Sequence, residues 1–249
     1  MATPNNELTP MKRQYNEIKE RNQDCILFFR LGDFYEMFDE DAKVASRELD
    51  LTLTTRDRGK PKEEQTPMCG VPFHSVDSYI ARLVQKGYKV DICEQMQDPA
   101  LAKGLVERDI TRIVTPGTVT ESCMLDESRN NYIGCIYGES GKFGLAFCDV
   151  STGAFFSTVC SDPQSVASEL GRFAPSEIIR YGSNVDCPQI EDAVFRRLNC
   201  CVNEGRSESF RLEAAEETLE SHFHTSLSQL GLAGMPAAVI ASALAMRTL

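Results

Sequence analysis

Apolar positions recur along this chain with two periods, and reading them in order predicts most of its elements. Met11, Tyr15 and Ile18 fall on one helical face behind Thr9, a good N-cap, and Pro10, a good first helical residue. That helix is expected to end near Asn22. Cys25–Leu31 is a compact apolar run that reads as a buried strand, stopped by Gly32-Asp33, a pair that favours a turn. The extended segment Phe34-Tyr35-Glu36-Met37-Phe38 follows. A second helix is predicted over Asp39–Leu49, and Leu51–Thr55 alternates as a strand would. After a polar loop, Ser75 is placed to cap a third helix with Val76, Tyr79, Ile80, Leu83 and Val84 on one face and Gly87 beyond its end. Tyr88–Glu94 and Asp109–Thr115 read as strands. Helices interleaved with strands over residues 1–120 imply a small α/β domain with a mixed sheet.

Pro116-Gly117 and the polar stretch 121–131 mark a linker. Beyond it, Tyr132–Tyr137, Phe143–Val150 and Ala154–Cys160 are β-rich runs joined by short turns, which predicts an antiparallel meander. A helix over Pro163–Phe173, a strand over Glu177–Tyr181 and further helical stretches come next. A meander followed by alternating α and β resembles the ribonuclease H type of α/β fold, expected here over residues 132–249. Pro236–Leu249 is helical in pattern and meets no terminator, so this domain is expected to be truncated near its end.

Charge changes the picture. The net charge is −11, which argues against a surface built throughout for nucleic acid. Residues 1–120 hold 17 Lys+Arg against 20 Asp+Glu (−3); the rest hold 9 against 17 (−8). Any DNA contact should therefore come from local basic clusters in the first half, while the second half suits proteins and not phosphates. Ten cysteines form no CxxC, and most sit in apolar runs such as CILFF and LAFCDV, where a reduced thiol behaves as a small hydrophobe. Neither a metal site nor disulfides are expected. The amino-terminal residues lack the pattern of a secretory signal. The most apolar stretch, Leu232–Met246, is short for a membrane span and contains Pro236 and Ser242. A cytoplasmic location without membrane attachment is expected.

Alternation in an extended segment puts Phe34 and Glu36 on one side and Tyr35 and Met37 on the other. A phenyl ring can wedge into a base step, at an unstacking cost that is least where pairing is already weak. A carboxylate beside it can accept a hydrogen bond from an exposed base edge. The plainer reading is that Phe and Tyr at a strand end are core and that Glu faces solvent. The loop 56–62 is the densest basic cluster, and Arg56, Arg58 and Lys60 suit phosphate contact, although Asp57, Glu63 and Glu64 offset much of its charge. Gly138-Glu139-Ser140-Gly141-Lys142-Phe143 lacks the spacing and the following Ser or Thr of a phosphate-binding loop and reads as a hairpin turn. Asp149 sits where the first metal-binding carboxylate of a ribonuclease H-like nuclease would be, but no partner carboxylates in comparable strand context are evident.

Four segments taken together, FFRLGDFYEMF, PMCGVPFHSVDSYIARLV, ICEQMQDP and RIVTPGT, resemble the amino-terminal portion of the bacterial MutS family of DNA mismatch recognition proteins. The second half resembles the family's connector domain more loosely, through LAFCDVSTGAF. In that family a Phe-X-Glu element supplies a stacking aromatic and a base-contacting carboxylate, roles that the resemblance assigns to Phe34 and Glu36. It also suggests a place near the DNA backbone for Arg108 and Arg112. It implies mismatched double-stranded DNA and a MutL-type protein as partners, a homodimer, and ATP with magnesium acting in the full-length protein. No cofactor and no catalysis are expected in these residues. A metal nuclease built on Asp149 and a family paralogue with a structural or recombination role are the rival readings.

Overall fold

The computed structural model describes residues 8–59, 61–97, 104–120, 125, 129–198, 200–205 and 211–248. The chain divides into two compact units, Met1–Thr115 and Pro116–Leu249.

The first unit opens with helix α1 (Pro10–Lys19), whose N-terminus is capped as its sequence requires, Thr9 Oγ1 accepting from Lys12 N at 3.3 Å. It ends three residues before Asn22. Strands β1 (Cys25–Leu31) and β2 (Phe34–Phe38) form a hairpin across Gly32-Asp33, with Gly32 at φ +60°. A glycine at the first central position is what such a two-residue turn favours. Helix α2 (Asp39–Leu49) follows directly.

Next come the short strand β3 (Thr54–Thr55) and strand β4 (Pro67–Pro72). The alternation over Leu51–Thr55 thus yields only two paired residues. Strand β4 lies in what its sequence suggests is loop and turn. Its prolines stand at its two ends, where a missing N–H is tolerated, and buried Cys69 and Val71 alternate with less buried neighbours.

Helix α3 (Val76–Gln85) and strands β5 (Lys89–Gln95) and β6 (Arg108–Val114) complete the unit. Ser75 does precede α3, but its hydroxyl donates to Pro72 O at 3.3 Å and no side chain caps the helix. The sheet runs β3-β4-β2-β1-β5-β6, with β1 and β5 parallel and the other pairs antiparallel. Tyr15 and Ile18 of α1 pack on one face against Leu27, Phe29, Phe38 and Cys93. The other face meets α2, where the Cys69 thiol donates to Ala42 O at 3.4 Å.

The second unit is built on the predicted antiparallel meander, β7 (Tyr132–Glu139), β8 (Lys142–Asp149) and β9 (Ala154–Cys160). The β7–β8 turn has Ser140 at φ +51° and Gly141 at φ +77°, a hairpin geometry and not a phosphate loop. Helix α4 (Pro163–Phe173) is capped by Asp162, which accepts from Ser165 N at 2.9 Å. Strand β10 (Glu177–Gly182) then pairs parallel to β7. Helix α5 (Pro188–Glu191) runs into a π-helical turn to Leu198, and β11 (Cys201–Glu204) pairs parallel to β10. Helices α6 (Leu212–Phe223) and α7 (Pro236–Thr248) close the chain.

The strand order is β11-β10-β7-β8-β9. Helices α6 and α7 cover the face of Cys135, Tyr137 and Ala146, and α4 with the 188–198 segment covers that of Ile136, Leu145 and Phe147. Contact between α7 and the sheet is close: a Cβ at Gly144 would stand 1.8 Å from Ala237 O. Both units are therefore α/β with mixed sheets. The nine described cysteines are free thiols, six of them buried.

Candidate nucleic-acid interface

Strand β2 lies inside the sheet, hydrogen-bonded to β1 on one side and β4 on the other. Its first residue, Phe34, is 48% exposed, whereas Tyr35, Met37 and Phe38 are buried. Glu36, two residues along the same face, is only 9% exposed. At both positions the usual preference is inverted, an aromatic ring in solvent and a carboxylate inside. Buried polar groups and exposed large apolar ones are the informative exceptions in a protein surface. The plainer reading of the sequence, Phe as core and Glu as solvent-facing, therefore fails at both residues and holds for Tyr35.

The carboxylate is half satisfied. Glu36 Oε1 accepts from Arg56 Nη2 at 2.5 Å, while Oε2 is buried without a hydrogen-bond partner among the described residues. Arg56 itself is 48% exposed. On β4, Gly70 stands opposite Glu36, and a Cβ there would lie 3.4 Å from Glu36 Cγ and 3.2 Å from Tyr35 O.

The turn beneath Phe34 is fastened from two directions. Phe73 N donates to Asp33 O at 3.0 Å, and Arg30 Nε donates to Gly32 O at 2.5 Å. The Arg30 guanidinium lies over the Phe73 ring, 3.9 Å from its centre. Tyr35 donates its hydroxyl to Glu94. Burial first, and the Glu94 charge and hydrogen bond with it, pushes the Tyr35 hydroxyl up to about 12. Gly70, Arg30, Phe73 and Glu94 carry no local sequence signal for these roles; only strand pairing brings them to the tip.

The basic residues scatter. Arg56 and Arg58 are exposed on the loop after β3, a loop closed by Thr66 N donating to Asp57 Oδ2 at 3.3 Å. Lys60 lies outside the described residues. Arg112 is exposed on β6, opposite Ile92. Arg108, in contrast, is 7% exposed and spends its guanidinium inside the unit. It donates to Arg30 O at 2.7 Å, Gln14 Oε1 at 3.0 Å and Val106 O at 2.8 Å, and lies over the Phe29 ring. The structure thus gives Arg108 the task of bracing β1, where the resemblance had suggested the DNA backbone. Asp149 is fully buried, and both its oxygens are taken by the Asn130–Asn131 and Ser151–Thr152 segments. Burial alone would push this carboxyl up, yet these hydrogen bonds hold it below the ordinary value. Among the described residues, no group of three or more His, Cys, Asp or Glu is arranged to hold a metal ion. No helix among them is long and apolar enough to cross a membrane.

Residues 9–123 match the family model for MutS domain I, and residues 131–246 match that for MutS domain II. The chain belongs to the MutS family. It is 52% identical over 219 residues to the DNA mismatch repair protein MutS of Acetivibrio thermocellus, covering 87% of this chain and 25% of that protein. Against the DNA mismatch repair protein MutS of Syntrophomonas wolfei it is 46% identical over 239 residues, covering 94% and 28%. Against that of Clostridium botulinum it is 56% identical over 204 residues, covering 82% and 22%. The chain spans about a quarter of the length of these relatives. The two domains matched are MutS domains I and II, not the family's ATPase domain.

Proposed function

We propose that this chain carries the sensing part of DNA mismatch repair, with Phe34 wedging into the base stack at a mismatch and Glu36 hydrogen-bonding the exposed base. The observation that carries the reading is the inversion at the tip, a half-exposed ring beside a buried, half-satisfied carboxylate. Inserting a side chain between base pairs costs a few kcal/mol of unstacking, least where pairing is already broken, so weak pairing is itself the recognised feature. Arg56, Arg58 and Lys60 contact phosphates in this scheme, and Arg112 approaches the backbone from β6. Residues 1–120 act as the mismatch-recognition domain, joined through 121–131 to a ribonuclease H-like connector domain. The connector, with its net charge of −8 over residues 121–249 (9 Lys+Arg, 17 Asp+Glu), meets a MutL-type protein and relays the nucleotide state of an ATPase domain. The whole protein is a cytoplasmic, bacterial homodimer that uses ATP and magnesium.

The test is binding of the native full-length protein to matched and singly mismatched duplexes, followed by fluorescence anisotropy. Phe34→Ala is expected to reduce discrimination by roughly tenfold or more, the scale of a lost base–aromatic stack. Wild-type discrimination in that variant would refute the reading.

A further inference from the structure

We propose that Arg56 is a latch on Glu36, holding the carboxylate stowed against the sheet until a DNA phosphate captures the guanidinium. The proposal rests on the reading of Phe34 and Glu36 as the mismatch sensor and concerns how that sensor is released.

The geometry of three strands carries it. Arg56 follows β3, and β3 is separated from β2 by β4. A side chain from the end of β3 must therefore pass over β4 to reach Glu36. The residue of β4 that faces Glu36 is Gly70, which has no side chain to stand in the way. The contact closes there, Arg56 Nη2 to Glu36 Oε1 at 2.5 Å.

The stowed state is held by little else. Among the described residues, one oxygen of Glu36 has a partner; the other is shut away from solvent without one. In that position Oε2 offers nothing to a base edge, so the side chain must swing out before it reads a base. The guanidinium, unlike the carboxylate, is reachable: the Arg56 side chain is 48% exposed and that of Glu36 12%. It meets Glu36 through a single nitrogen, whereas phosphate suits the two-pronged fork of an arginine. Docking of Arg56 on the backbone thus removes the only side-chain hydrogen bond of Glu36 among the described residues and frees the carboxylate beside Phe34. Backbone engagement and base reading become one coupled event.

A double-mutant cycle tests this in the native full-length protein, with matched and singly mismatched duplexes titrated over a range of salt. Glu36→Gln weakens the latch, so matched-duplex affinity is expected to rise roughly two- to fivefold, the size of a half-exposed ion pair. The same change in an Arg56→Met background is expected to do nothing measurable. Arg56→Met alone should reduce the slope of log affinity against log salt by about one, and Arg56→Lys should restore the slope. An equal effect of Glu36→Gln in both backgrounds, or an unchanged slope in Arg56→Met, overturns the latch. Phe34→Ala run alongside separates the two claims. If it abolishes discrimination while the 36/56 cycle is additive, only the latch fails; if discrimination survives, the sensor reading beneath it fails.

Discussion

Asp91→Asn is expected to stabilise the first unit at neutral pH. Asp91 sits in β5 between Leu27 of β1 and Ile113 of β6 and is 1% exposed. Oδ2 accepts from Asn22 Nδ2 at 3.1 Å, but Oδ1 has no good partner among the described residues, the neighbouring Cys25 thiol being a weak donor. Burial therefore raises this carboxyl above its ordinary 3.8, with Asn22 and Cys25 only partly offsetting it. A buried acceptor left unsatisfied costs about 1–3 kcal/mol, and more when charged. Asparagine keeps the shape, turns its carbonyl to Asn22 and carries no charge.

The sign with pH follows from linkage. Between 3.8 and the raised folded value, the folded state retains a proton that the unfolded chain has lost, so wild-type stability falls as pH rises through that window. The advantage of Asp91→Asn should be small below pH 3.8 and complete above the folded value. With no tryptophan in the chain, far-UV circular dichroism during urea unfolding is the assay. A gain of about 1 kcal/mol corresponds to roughly 4 °C in Tm for a unit of this size. A variant less stable than wild type at pH 7, or an advantage unchanged at pH 3.5, would refute the reasoning.

Two further outcomes follow from packing and charge. Gly144→Ala should destabilise the second unit by about 1–3 kcal/mol or more, because its Cβ would meet the Ala237 backbone, which cannot move without shifting α7; a melt indistinguishable from wild type would show the approach to be looser. Asp149→Ala should cost about 2–4 kcal/mol at pH 7 by leaving several turn donors unpaired. Its folded pKa is depressed, so the wild-type advantage should be full above the ordinary 3.8 and fade as pH falls through the lower folded value. An advantage equally large at pH 2.5, by the same optical measurement, would contradict this.

Elements fixed by local chemistry were legible in the sequence. The helices expected over Asp39–Leu49 and Pro163–Phe173 form over those residues. Strand β4 was not legible, because Pro67, Gly70 and Pro72 look like turn residues until β2 offers them a ladder. The site divides in the same way. The shared face of Phe34 and Glu36 is a matter of alternation, but the depth of Glu36 is set by Arg56, on the loop after β3, and by Gly70 of β4. The resemblance suggested a place near the DNA backbone for Arg108, and nothing nearby in the sequence announces that Arg30 O and Gln14 will take its donors. Those partners lie 78 and 94 residues away, beyond the reach of any local pattern.

Strand β2, laced on both edges and tied at its turn by Arg30 and Phe73, gives the Phe34 ring an unyielding mount. A push on the ring spreads into two ladders of backbone bonds. A compliant tip would bend away from a well-stacked step and a poorly stacked one alike, whereas a stiff one transfers the whole difference in resistance to the DNA. In the proposed reading of Phe34, selectivity of that kind is mechanical, and it would be lost by softening the strand without touching the ring at all.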